Sequence, residues 1–291
     1  MKPQDSGFMH LVTRLEESRS ATIGATIILL ICLSAVFAPQ LSPNSPTKAC
    51  LADRLISPFT EQKYPLGTDH LGRCILSRLL YGARISLAIG IVVVGISATV
   101  GIVLGVVAGY RGGLIDTTIM RFVDATLSFP SIFLAVVIAG LLGRGLASVA
   151  IALIAIEWTS YARVARGSVL SLKEQGFVES ARSLGARDSY IMTRHILPNI
   201  VAPVIVMATL GMAYVILSAA ALSFLGFGSQ PPTPEWGAML NAGRVYIRTE
   251  PHLTILPGLA IMIAVLAFNL LGDGLRDILD PRQIDQNGNS A

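Results

Sequence analysis

Long apolar stretches alternate with polar segments along this chain, and each apolar stretch is long enough to cross a lipid bilayer. A transmembrane helix needs about 20 apolar residues, because it must satisfy every backbone polar group within the segment. Five of the stretches contain no charged residue, and the sixth contains only Glu157. The pattern predicts an all-α membrane protein with six transmembrane helices, at residues 21–38, 85–109, 125–143, 145–161, 199–228 and 253–272.

Three glycines follow one another at a spacing of four in the second apolar stretch. Gly101, Gly105 and Gly109 would lie along one face of a helix. Small residues at this spacing let the backbones of two membrane helices approach closely. We therefore expect a packed bundle rather than a single membrane anchor.

Composition agrees with lipid as the solvent of this protein. Hydrophobic residues make up 53% of the chain and charged residues 14%, with a mean hydropathy of +0.65. The three cysteines are too scattered for a metal or redox motif, and Cys32 is interpreted as a small apolar residue. Cys50 and Cys74 fall in one predicted loop, which leaves a disulfide between them open. No metal or cofactor is expected.

The sequence lacks the signatures of an enzyme. It contains no G-x-x-x-x-G-K-[ST] segment and no Gly-Lys dipeptide, so the phosphate-binding loop of an ATPase is absent. Its four histidines lie in different segments and form no catalytic set with serine, cysteine or aspartate. We predict that the chain performs no bond chemistry, and that any ATP hydrolysis belongs to other subunits.

Basic residues predict the orientation of the chain in the membrane. Arg163 and Arg166 follow directly on the fourth stretch and begin an arginine-rich loop at residues 162–198. Short basic loops face the cytoplasm, which places both termini there. The expected organisation is a cytoplasmic segment at 1–20, a first transmembrane helix at 21–38, an extracytoplasmic segment at 39–84, a transmembrane core at 85–272 and a cytoplasmic tail at 273–291.

Two details refine this topology. The first apolar stretch is longer than the roughly 7–15 residues of a cleaved signal, so it is interpreted as a retained helix. The pI of about 9.1 reflects charges that flank the membrane, and it requires no nucleic-acid partner.

The loop at 162–198 has helical order, which is unusual for a polar connector. Phe177, Ala181 and Leu184 recur at helical spacing and predict one apolar stripe on a short helix. Gly185 is expected to end that helix, and Asp188 to cap a second one that runs to Leu197 before Pro198. A short amphipathic helix that projects from a membrane protein suits a groove in a partner protein.

This loop resembles the EAA motif of bacterial ABC-importer permeases, written E-A-A-x3-G-x9-I-x-L-P. Glu179, Ala181, Gly185, Leu197 and Pro198 match the motif, whereas Ser180 replaces its first alanine and His195 stands at its isoleucine. The resemblance implies a type I permease whose coupling helix, at about residues 173–184, docks in a cleft of an ATP-binding subunit. It assigns ATPase coupling to Phe177, Glu179, Ala181, Leu184, Gly185, Leu197 and Pro198.

Further segments resemble the C-type subunit of the dipeptide/oligopeptide/nickel permeases. They are LGTDHLGR at 66–73, LSFLGFG at 222–228, PPTPEWG at 231–237 and NLLGDGLRD at 269–277, with Cys74 where that group usually has aspartate. The resemblance implies a multi-pass permease of the bacterial inner membrane. The implied partners are a second homologous permease, two ATP-binding subunits and an extracytoplasmic substrate-binding protein.

The resemblance leaves the cargo open between di- or oligopeptides and nickel or a metal chelate. A non-transporting membrane scaffold is the alternative from another class. Glu157 raises a related question, because it is an ionisable residue within an apolar stretch and shares a helical face with Tyr161. It lines the translocation path, where it would favour cationic cargo, or it has a structural role at the membrane interface.

Overall fold

The computed structural model describes residues 18–279, and within that range the chain consists of helices and loops without a β-strand. The helices are α1 Arg19–Val36, α2 Ala38–Leu41, α3 Ile75–Arg111, α4 Gly113–Leu127, α5 Ser131–Leu142, α6 Leu146–Leu172, α7 Gly176–Ser183, α8 Asp188–Tyr190, α9 Leu197–Phe224, α10 Trp236–Gly243 and α11 His252–Leu279. A π-helical turn, Ile191–Ile196, joins α8 to α9.

The predicted membrane-spanning character is confirmed for residues 18–279. Five helical runs are long and apolar enough to cross a membrane, or up to six if the bent pair of α4 and α5 counts as one span. α3 has 37 residues. It is therefore about 55 Å long, which exceeds a hydrocarbon core of about 30 Å. The helix begins at Ile75, before the uncharged run at 85–109, so its first turns lie outside the predicted span.

The prediction of one continuous third helix at 125–143 is wrong. α4 ends at Leu127, α5 begins at Ser131, and the two axes differ by 92°. Pro130 lies at the break and disfavours helical geometry at Phe129, the residue before it. The apolar run continues across this bend, so hydropathy alone does not reveal it.

The glycine face of α3 packs directly against α6, as its spacing predicts. A Cβ atom at Gly101 would collide with the Trp158 carbonyl, and one at Gly105 with the Ala162 carbonyl. A Cβ atom at Gly109 would lie 2.9 Å from Cβ of Val169. These contacts hold the C-terminal half of α3 against the C-terminal half of α6.

Two apolar clusters organise the described chain. The larger one fills the bundle between α3, α6, α9 and α11. The smaller one lies at the end of the bundle where α3 finishes, and its buried members are Val106, Ala165, Val169, Val178, Ile191, Ile196 and Ile200. It joins the short helix α7 to three long helices.

Cys50 and Cys74 are free thiols, so the disulfide that the sequence left open between them is not formed.

Candidate coupling and translocation site

Helix α7 begins after Gln175 and ends in a turn built on Gly185. The Gly185 N–H donates to the Arg182 carbonyl, and the Ala186 N–H donates to the Ala181 carbonyl. This pair of bonds is a Schellman turn, which requires a left-handed residue at the position that Gly185 occupies with a φ of +80°. Gly185 thus ends the helix as the sequence predicts.

The two faces of α7 differ from the predicted single stripe. Val178 is completely buried in the smaller cluster, and Ala181 packs against the same cluster. Phe177 is 39% exposed and Leu184 is 88% exposed. The prediction that Phe177, Ala181 and Leu184 form one apolar surface is therefore wrong. A helix this short depends on tertiary packing, so it buries Val178 and Ala181 against its own chain.

The second half of the loop also differs from the prediction. Asp188 is the first residue of α8 rather than its cap, and the helical run continues through the π turn into α9. The Leu197 N–H donates to the Met192 carbonyl, five residues earlier. Pro198 lies in the first turn of α9, where its missing N–H is tolerated. The Asn199 side chain donates to the His195 carbonyl at 2.6 Å, which helps to satisfy the backbone there.

Side chains distant in sequence hold α7 in place. The Tyr110 hydroxyl donates to Asp188 at 3.0 Å, and the Arg182 guanidinium lies 5.8 Å from the Tyr110 ring centroid. The His195 ring lies between Phe177 and Tyr190, at centroid distances of 6.2 and 5.6 Å. His195, which departs from the motif, therefore contacts the exposed aromatic residue of α7. Sequence reasoning missed Tyr110 and this role of His195, because neither has a local pattern.

The remaining predicted coupling residues lie close to α7 or at the start of α9. Glu179 is exposed, and it lines a surface depression together with Tyr110 and Arg182. Leu197 and Pro198 are both exposed at the first turn of α9. The structure thus brings the seven residues to one end of the bundle, with Ala181 facing inward.

Two ion pairs connect the bent segment to α6 near this end. Arg166 binds both carboxylate oxygens of Asp116, with a distance of 2.6 Å from Nη2 to Oδ2. Arg163 binds Asp124 at 2.7 Å, although both of these side chains are more than half exposed. The two-point geometry of the first pair fixes the orientation of α4 relative to α6.

Glu157 and Tyr161 lie one turn apart on α6. Tyr161 is 3% exposed, and its hydroxyl lies so close to Gly211 of α9 that a Cβ atom there would collide with it. Glu157 is half-buried, and its carboxylate makes no hydrogen bond or ion pair with any residue from 18 to 279. The structure thus places an unpaired carboxylate beside the α6–α9 contact.

The LGTDHLGR segment has a structural role at the opposite end of the bundle. Asp69 accepts hydrogen bonds from the Leu71 and Arg73 N–H groups and from Nε of Arg73 at 2.7 Å. Nε of Arg78 lies 3.6 Å from the same carboxylate. Arg78 also donates to the carbonyls of Pro46 and Pro232, so it links the segment before α3 to the loop before α10.

The PPTPEWG segment is also anchored to this end. Glu235 is 2% exposed and accepts from the Gly237 and Ala238 N–H groups, which caps α10. Burial raises the pKa of Glu235, and the two N–H groups oppose that shift. Nε1 of Trp236 donates to the Leu79 carbonyl at 3.0 Å. The loop before α10 is therefore held against the start of α3.

We expect a Gly185→Val substitution to separate ATP hydrolysis from uptake. Valine in the left-handed region costs about 1–2 kcal/mol or more, so the turn after α7 would open and the helix would shift. ATP hydrolysis should continue while uptake per ATP falls. The matched control is Gly167→Val, because Gly167 is an exposed residue of α6, outside α7, with open space around it and no positive φ. Equal uptake per ATP in the two variants would contradict the role of this turn.

Comparison with known proteins identifies relatives along most of the chain. Residues 101–285 match the family described as the binding-protein-dependent transport system inner membrane component, and residues 8–64 match the N-terminal TM domain of oligopeptide transport permease C. The dipeptide transport system permease protein DppC of Alkalihalophilus pseudofirmus is 44% identical over 92% of this chain and 88% of that protein. The glutathione transport system permease protein GsiD of Escherichia coli is 46% identical with the same coverage.

A solved structure supports the fold. A chain of the MetNI methionine ABC transporter in an inward-facing conformation matches with a TM-score of 0.57, at 20% identity, over 69% of this chain and 96% of that one. The family consists of transport permeases rather than enzymes. On the combined evidence of motifs, fold and relatives, this chain belongs to the binding-protein-dependent ABC-importer permeases of the inner membrane, among the C-type subunits of the dipeptide and oligopeptide group.

Proposed function

We propose that this chain is the permease subunit of an ATP-driven importer that carries di- or oligopeptides across the bacterial cytoplasmic membrane. The observation that carries the proposal is helix α7, which is anchored by Val178 and leaves Phe177 and Leu184 uncovered. An exposed aromatic and an exposed leucine on an anchored helix suit a groove on an ATP-binding subunit. Both chain termini are then cytoplasmic, on the same side as α7.

Packing supports a mechanical route from α7 into the membrane. Val178 contacts the cluster that contains Val169 of α6 and Ile196 before α9. Closely packed interiors transmit displacement rather than absorb it. When ATP binding closes the two ATP-binding subunits, movement of α7 would therefore shift α6 and α9, the helices that carry Tyr161 and Gly211.

The assembly needs further subunits. One chain offers one α7, whereas closure of two ATP-binding subunits acts on two opposed halves, so a second homologous permease completes the pore. An extracytoplasmic substrate-binding protein delivers the cargo, which is consistent with the family's description. The names of the dipeptide and glutathione relatives favour peptides over nickel or a metal chelate. A non-transporting scaffold would have no use for a coupling helix.

Reconstitution tests this function directly. Proteoliposomes that contain both permeases and both ATP-binding subunits should take up a labelled dipeptide only when ATP and the binding protein are present. Omission of the second permease should abolish uptake. Full uptake by this chain with the ATP-binding subunits alone would disprove the two-permease assembly, and no peptide uptake by the complete system would disprove peptide import.

Glu157 provides a prediction about the path. We expect Glu157→Gln to reduce uptake of peptides with an extra positive charge by about tenfold or more, because a hydrogen bond to a charged group contributes about 1.5–3 kcal/mol. Uptake of neutral peptides and ATP hydrolysis should stay near their normal levels. Equal uptake of both peptide types by the variant, or simple loss of the protein, would leave Glu157 with a structural role.

A further inference from the structure

A cavity of about 410 Å³ opens at the end of the bundle opposite α7. It is lined by the residues that lead into α3, by the loop between α5 and α6, and by helix α10 with the loop before it. Its lining includes four arginines, and no carboxylate occurs among the described residues that form it. The arginines are Arg73, Arg78, Arg144 and Arg244.

The inner wall of this cavity carries excess positive charge. Arg73 and Arg78 are each 4% exposed, and they share the single carboxylate of Asp69. Glu235 does not line the cavity, and its two carboxylate oxygens accept from the Gly237 and Ala238 N–H groups instead of pairing with an arginine. His70 adds no compensating negative charge. One buried positive charge therefore faces the cavity without a counter-ion.

The outer wall adds two more guanidinium groups. Arg144 is exposed and makes no hydrogen bond or ion pair with residues 18–279. Arg244 lies 5.8 Å from the ring centroid of Phe224, a contact that leaves its N–H groups free to donate. The side-chain amides of Gln230 and Asn241 also line the cavity. The site thus combines unpaired guanidinium donors with neutral amides.

We propose that this cavity binds the C-terminal carboxylate of a small peptide during its import. Guanidinium groups bind carboxylates through two parallel hydrogen bonds. The side-chain oxygen of Gln230, whose amide nitrogen already donates to the Gly226 and Gly228 carbonyls, can accept from a peptide N–H. The volume lies within the range of about 300–1,000 Å³ typical of small-ligand sites, which exceeds what one acidic side chain of a docked protein would fill. The inference rests on the proposed peptide import and adds a requirement for a free carboxylate.

Thiol labelling in the complete transporter tests the charge of the cavity. The transporter, in nanodiscs and without binding protein, would carry Asn241→Cys, and mass spectrometry would measure modification at position 241 alone. An anionic and a cationic methanethiosulfonate would be compared, and the control is Thr60→Cys, at an exposed position in the segment before α3. We expect the anionic-to-cationic rate ratio at 241 to exceed that at 60 by about tenfold, because a positive cleft concentrates anions.

Matched arginine variants should then show whether Arg144 and Arg244 produce that rate ratio. It should fall to the control value when R144Q and R244Q are combined, and it should persist when R144K and R244K are combined, since lysine keeps the charge. Dialanine should slow modification at 241, whereas dialanine amide, which lacks only the carboxylate, should not. Equal ratios at 241 and 60, or equal protection by acid and amide, would overturn the proposal.

Two further outcomes separate this site from the proposed function. Protection by the binding protein but not by dialanine would overturn the peptide assignment and leave the cavity to an acidic side chain of that protein. Dialanine uptake would be measured in parallel with the unsubstituted transporter. Uptake without protection would overturn the site alone, whereas a failure of uptake would overturn peptide import, and the labelling ratios would still report on the cavity.

Discussion

An aspartate in place of Leu184 should stop ATP-driven uptake while the chain remains folded in the membrane. Leu184 is 88% exposed, so the charge stays solvated until the ATP-binding subunit docks. Docking would then bury an unpaired carboxylate. Central apolar contacts of an interface contribute about 2 kcal/mol or more, so we expect uptake to fall by at least about thirtyfold. Uptake by proteoliposomes and protein level in the membrane would be measured together.

Two variants separate docking from folding. Val178→Asp buries a charge inside the smaller cluster, so we expect it to remove the protein from the membrane rather than to uncouple it. Leu51→Asp places the same charge on a 67% exposed leucine far from α7, and uptake should stay near normal. Normal uptake by Leu184→Asp at normal protein level would contradict the assignment of α7 as the docking helix.

The spans were predictable because lipid imposes a coarse requirement on the sequence. Uncharged runs of sufficient length located the long helices, and the glycine spacing of α3 identified the face that meets α6. Prolines limited the detail of the prediction. Pro130 marks a 92° bend, whereas Pro203 and Pro257 lie inside continuous helices. In a membrane protein, neighbouring helices and local adjustments decide whether a proline bends a helix or lies within it. A single sequence does not show which helices become neighbours.

The site was predictable only where its chemistry is local. Gly185 ends α7 because the turn needs a left-handed residue within the same few positions of the chain. The choice of Val178 as the buried side of α7 depends on the cluster beneath it, and the spacing of Phe177, Ala181 and Leu184 did not reveal that cluster. Contacts such as Tyr110 with Asp188 join segments far apart in sequence, so they leave no periodic signal.

Arg78 has the largest expected effect on stability. Its guanidinium lies 3.6 Å from Asp69 and donates to the Pro46 and Pro232 carbonyls, which joins three separate segments at one end of the bundle. Arg78→Met would keep most of the side-chain volume but leave both carbonyls without this donor. Because removal of one partner from a buried charge network costs about 3–5 kcal/mol, we expect a large drop in thermal stability in detergent.

Arg78→Lys should recover part of the loss, since lysine retains the charge without the planar fork. The control is Arg54→Met, at an exposed arginine of the same segment, which should unfold at the normal temperature. Equal unfolding temperatures for Arg78→Met and Arg54→Met would show that the three segments are held together without this side chain.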